Sequence, residues 1–131
     1  MPTELDLINF EKIAAILFII SGVEALSSAY KAEQAELEKQ QNPINPSNLK
    51  TADIETAQLA LDSTFTTFWG YIIYLIIAVI RKNQIQASSP TKSIAPNLLL
   101  IIGFIFSIIG IIIRIPAIQQ GLSEAQEPII L

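Results

Sequence analysis

Apolar residues in this chain gather into three long blocks separated by polar segments. Two of the blocks carry no charge over a bilayer-spanning length. Ser63 to Ile80 is 18 residues and Ser93 to Ile113 is 21, and a helix of about 20 residues crosses about 30 Å of hydrocarbon. The first block runs from Leu7 to Val23 but is interrupted by Glu11 and Lys12 and closed by Glu24. Its crossing, about Ile8 to Ser28, requires both that Lys12 snorkel and that Glu24 lie within the membrane. A cleaved signal peptide is the competing reading, since Ala25-Leu26-Ser27 is a small-x-small site. Three acids and no base before Lys12 are the reverse of a secretory n-region.

The polar segments complete the helices. Thr3 can cap a helix whose first turn holds Glu4 and Asp6, where the positive end of the dipole favours acids. Beyond Ser28 the chain continues through Ala, Glu, Lys and Gln to Gln41, residues that favour helix. Asn42-Pro43-Ile44-Asn45-Pro46 breaks the pattern, and Thr51 with Glu55 can begin a second helix. No breaker except Gly70 then stands before Arg81.

The expected fold class is therefore an all-α integral membrane protein. It has three transmembrane helices, the first two extended beyond the bilayer as an antiparallel helical hairpin. Residues 1–131 form a single domain: helix 1 over about 3–41, a hairpin turn at 42–50, helix 2 over about 51–83, a basic loop at 81–96, helix 3 over about 96–115 and a polar tail at 116–131.

Composition agrees and narrows the chemistry. Of 131 residues, 51% are hydrophobic and 15% charged, with a net charge of −4. Cysteine and histidine are both absent, which excludes disulfides, thiol nucleophiles, His-ligated haem, Cys-based iron–sulfur centres, ordinary zinc sites and a Ser-His-Asp triad. Glycine-rich phosphate loops and basic nucleic-acid patches are missing as well. No cofactor, metal or nucleic-acid partner is expected, and an enzyme is the least supported class.

Basic residues set the expected orientation. Lys12, Arg81, Lys82 and Lys92 fall on one side, and Lys31, Lys39, Lys50 and Arg114 on the other. The count is a tie, but the short 81–96 loop holds bases only, whereas the others are dispersed among acids. Short loops weigh most in the positive-inside rule. The N-terminus and the 81–96 loop are therefore expected in the cytoplasm, with the hairpin and C-terminus opposite.

Two residue constellations stand out. The first is a series of small residues at alternating four- and three-residue spacing: Ala14, Ser21, Ala25, Ser28, Ala32 and Ala35 on helix 1, with Phe18 the large member. Helix 2 repeats it in Ala52, Thr56, Ser63, Thr66 and Gly70, with Leu59 the large member, and helix 3 in Gly103, Ser107 and Gly110. Small residues let helix backbones approach closely, which is how helices associate in lipid. The second is a trio of charges at similar depth. Arg114 continues the small row of helix 3, and Glu24 and Asp62 lie near the matching ends of spans 1 and 2. Charges in a membrane favour pairing, so Arg114 is expected to bridge Glu24 and Asp62 as a structural ion cluster, snorkelling being the alternative. Trp69, Tyr71 and Tyr74 lie inside span 2, where packing against a neighbouring helix is expected.

The functional expectation is a small non-enzymatic membrane protein working through helix association in the lipid bilayer. It would be an accessory or assembly subunit of a larger membrane complex, or a homo-oligomer. A pore-forming, holin-like oligomer is the alternative. A polar stripe along one helix would favour that alternative, and none is present.

Overall fold

The structure is a computed structural model that describes residues 1–41 and 46–126. Among them the chain forms α1 (Glu4–Gln41), α2 (Pro46–Ser88) and α3 (Ala95–Gln126). At 1.5 Å per residue the 38, 43 and 32 residues of these helices reach about 57, 64 and 48 Å. Each helix is long and apolar enough to cross a membrane. The architecture is that of a multi-pass membrane protein.

α1 opens with a reciprocal cap. The Thr3 backbone N–H donates to Asp6 Oδ2 (2.9 Å), and the Asp6 N–H donates to Thr3 Oγ1 (3.2 Å), so two orphan donors of the first turn are satisfied at once. The cap holds the Asp6 carboxyl below its ordinary range, through the backbone bond first and the Thr3 hydroxyl second.

Several boundaries differ from the sequence expectation. α2 already runs at Pro46, not from Thr51; proline at the first helical position forfeits no hydrogen bond, because that N–H has no intrahelical acceptor. The expected turn at 42–45 lies outside the described residues. α2 continues to Ser88, so Arg81 and Lys82 are helical residues and the true connection is 89–94, closed by a Lys92 N–H bond to the Ser89 carbonyl (2.9 Å). α3 does not stop before Pro116 but carries it internally and reaches Gln126. Only one backbone bond is lost at such a proline, and the Gln, Leu, Glu and Ala beyond it favour helix.

α2 is the central element. It packs on α1 and on α3, whereas α1 and α3 nowhere approach within 8 Å at the backbone. α1 buries every seventh residue: Leu7, Ala14, Ser21, Ser28 and Ala35. α2 answers with Ser63, Gly70 and Ile77 at the same interval. A strict repeat of seven stays on one line only if the two helices wrap left-handedly. α3 contributes the buried Ile108 and Ile111.

Candidate functional site: a hydroxyl seam, an ion cluster and an open groove

The α1–α2 seam is polar at its middle. Ser21 and Ser63 exchange hydrogen bonds, each hydroxyl donating to the other's backbone carbonyl (2.9 and 3.0 Å). With both protons so placed, the neighbouring Thr67 hydroxyl donates to Ser21 Oγ. Ser28 Oγ donates to the Thr56 carbonyl at 2.9 Å. These bonds form only because the flanking residues are small enough for side chain to meet opposing backbone. About two turns from Ser63, Gly70 receives the Phe18 ring, and a Cβ there would lie 3.0 Å from it.

The small rows named from the sequence divide into packed and open members. Ala14, Ser21, Ser28, Ala35, Ser63 and Gly70 are buried, Thr56 and Thr66 half-buried, and Ala25 and Ala32 exposed. The side chain of Ala52 lies outside the described residues. On α3 the expectation is corrected. Gly103 is exposed, Ser107 and Gly110 are half-buried, and nothing lies within 4 Å of a Cβ built on either glycine. α3 instead turns Phe104, Ile108 and Ile111 toward α2. Large side chains fill the wider gap that Tyr71 and Tyr74 create there: Tyr74 stacks between Phe18 and Phe104 with ring centroids 5.6 Å apart on each side.

The charge trio is corrected too. Glu24 accepts a hydrogen bond from Thr66 Oγ1 (2.9 Å), and Asp62 accepts one from Gln58 Nε2 (2.9 Å). Arg114 is exposed, and among the described residues no ion pair joins it to either acid. Glu24 and Asp62 face away from the side on which α3 carries Arg114. Thr66 bonds Glu24 on α1, while α3 packs on another face of α2, so the acids and the arginine point to different sides.

An ion cluster absent from the sequence reading lies at the other end. Arg81 Nη2 pairs with Glu4 Oε1 (2.6 Å) and Nη1 with Glu11 Oε1. Gln84 Nε2 adds a bond to the Pro2 carbonyl (2.7 Å). The two carboxylates, Glu11 first, hold the guanidinium more firmly protonated than an isolated arginine. The available signal was the seven-residue spacing of Glu4 and Glu11, which continues the row of Phe18, Ala25 and Ala32. At the opposite end Lys31 pairs with Glu55 (2.7 Å).

Because α1 and α3 stand apart over α2, the space between them is a groove. Its Arg81 end is a cleft of about 220 Å³ lined by Glu11, Tyr74, Arg81, Asn97 and Phe104. A second, open hollow lies along α3, over Tyr71 beside Gly103 and Ser107. The groove's far end lies over Thr56, Ala57 and Ala60, between Ala32 and Ala35 of α1 and Gly121 of α3. Asn97 Nδ2 and Thr56 Oγ1, one at each end, are buried without a hydrogen-bond partner. Among the described residues no three acidic side chains are placed to hold a metal ion. No protein-family model, curated protein or solved structure matches this chain, so its function has to be argued from the geometry above.

Proposed function

We propose that this protein is a non-enzymatic membrane protein that works by lateral helix association, as an accessory or assembly subunit of a larger membrane complex or as a homo-oligomer. The observation that carries the reading is the groove. α1 and α3, packed on two sides of α2, leave hollows between them at both ends, with small residues on the walls of one and an unpartnered polar atom at each. Small walls admit a further helix at close range, and lipid chains offer no partner to a buried hydroxyl or amide. The hydroxyls that a water-filled pore would need are engaged with one another in the seam, which supports association over permeation.

In this reading the Arg81 end and the 89–94 connection face the cytoplasm. The outer turns of α1 and α2 project as a hairpin on the other side, since both helices exceed a bilayer core of about 30 Å. The chain has no cysteine, so single cysteines test both claims on a clean background. Labelling at Ser89 should require permeabilised membranes, and labelling at Gln40 should not. A photo-cross-linker attached to a single cysteine should capture a partner or second copy in native membranes from positions Gly103 and Gly110 but not from Ile105 and Ile112. Uniform cross-linking around α3, or none, would refute association through this face.

A further inference from the structure

The groove and the flank opposite it are electrically complementary at one depth. Phe104 stacks on Tyr74, which ties α3 to the antiparallel α2. Counting from that layer, Arg114 lies ten residues along α3, or about 15 Å. Thr66 and Asp62 lie eight and twelve residues along α2, or about 12 and 18 Å. Glu24 bonds Thr66, so the cation falls between the two carboxylates in height. They do not share a side. Tyr71 packs toward Phe104, and Asp62 is nine residues away, which is two and a half turns and hence the opposite face of α2.

Within one chain this match cannot be used, because α2 stands between the partners. Between chains it can. Copies of one sequence insert with the same topology, so groups level in one molecule are level in its neighbours. An arginine on an apolar stretch such as Ile111 to Pro116, with no ion pair among the described residues, favours a carboxylate at its own depth. The flank also carries Gln58, one turn from Asp62, close in height to the unpartnered Thr56 hydroxyl in the groove. Trp69 and Ile76 on the same helix are exposed and supply apolar area.

We infer that the groove is filled by the Glu24–Asp62 flank of a second copy, with Arg114 of one molecule pairing with a carboxylate of the next. The inference rests on the association reading above and names its partner. Since groove and flank are different surfaces on different sides, the contact is heterologous: every copy gives one and receives one, and the chain of contacts closes into a ring or continues as a row.

The test uses the full chain in lipid nanodiscs and native membranes. Wild type is expected to self-associate. Arg114→Glu should raise the apparent dissociation constant about tenfold or more, a step of about 1.4 kcal/mol. The double variant Glu24→Lys with Asp62→Lys should do the same. Mixing the two variants should restore assembly, which also demonstrates that both fold. A chain carrying Gly110→Cys and Thr66→Cys should oxidise to a ladder of trimers and larger species. Self-association indifferent to Arg114→Glu, failure of the mixture to recover, or a ladder ending at dimer would overturn the heterologous pairing and leave association standing. A different membrane protein co-purifying in an Arg114-dependent manner, with no self-association, would overturn the second copy as partner. A monomer with no partner would overturn both this inference and the association reading.

Discussion

The two interfaces of α2 follow opposite rules. Toward α1 it presents Ser63, Thr66, Thr67 and Gly70, and the helices meet closely enough for hydroxyls to bond opposing carbonyls. Toward α3 it presents Tyr71 and Tyr74, whose rings also meet Phe18 of α1, and the α3 contact is made by packed rings and two buried isoleucines. The first interface is fixed in register by directional bonds. The second is held by area, which is less particular about position, and it leaves the small face of α3 open. Small residues thus mark two different things in one chain: a completed contact on α1 and α2, and an unfilled one on α3.

The largest test of that difference is to overfill both kinds of small site. Ser63→Leu places a bulky side chain where Ser21 approaches within 3.0 Å and removes one arm of the reciprocal pair. Overpacking and a stranded hydroxyl together cost about 2 to 4 kcal/mol. Ala25→Leu, on the same predicted row but exposed, should change unfolding by less than about 0.5 kcal/mol. Equilibrium unfolding in mixed micelles reads both. Equal losses would mean that the seam is not the structural contact. Ile77→Leu, volume-conserving at a buried position, should cost less than about 1.5 kcal/mol.

Glycines sharpen the contrast. Gly70→Val should cost about 1 to 3 kcal/mol, because its Cβ begins 3.0 Å from the Phe18 ring. Gly103→Val meets nothing within 4 Å and should leave the isolated chain no less stable. Should Gly103→Val destabilise monomeric protein in dilute detergent, the α3 face would have to be packed within the chain.

The Arg81 cluster should show an intermediate effect. Its guanidinium and the Glu11 carboxylate are 29% and 32% exposed, so water moderates the pair and Arg81→Met should cost about 1 to 2 kcal/mol, between the surface and buried limits. A double-mutant cycle with Glu11→Gln should show coupling above about 0.5 kcal/mol. Additive effects would make the pair incidental.

These contrasts mark how far the sequence could be read. Block lengths of uncharged residues mark two helices long and apolar enough to cross a membrane, and the third, α1, was legible despite Glu11, Lys12 and Glu24 because its apolar run is long. The α1 row was legible in part, since seven-residue spacing of Ala14, Ser21, Ser28 and Ala35 survives as the buried line. Spacing does not say which neighbour a row meets, and so Ala25 is exposed, Ala32 borders the groove, and nothing lies close to Gly103 and Gly110. The Glu24, Asp62 and Arg114 reading failed for the same reason: height along a helix follows from residue number, but azimuth relative to another helix depends on which faces dock. Arg81 was read as a loop base because the end of α2 was placed too early, at a point where no proline or glycine intervenes before Ser88.

The smallest expected effect lies at the first turn of α1, outside both interfaces. Thr3 and Asp6 cap that turn reciprocally, and the Asp6 carboxyl is held below its ordinary value. A depressed carboxyl contributes stability above its unfolded value, and the contribution fades as pH falls through the folded one. Acidification from pH 6 toward pH 2 should therefore loosen the first turn, read as a lower amide protection factor at Leu7, whose N–H bonds the Thr3 carbonyl. Asp6→Asn should remove most of that pH dependence, whereas Thr3→Ala should keep much of it, because residue 3 retains the backbone N–H that bonds the Asp6 carboxyl. The Ser21–Ser63 bonds contain no titrating group, so amide protection factors at Ser21 and Ser63 should be alike at both pH values. A pH response there equal to that of the first turn would mean that the cap and the seam open together, and the two regions would have to be treated as one cooperative unit.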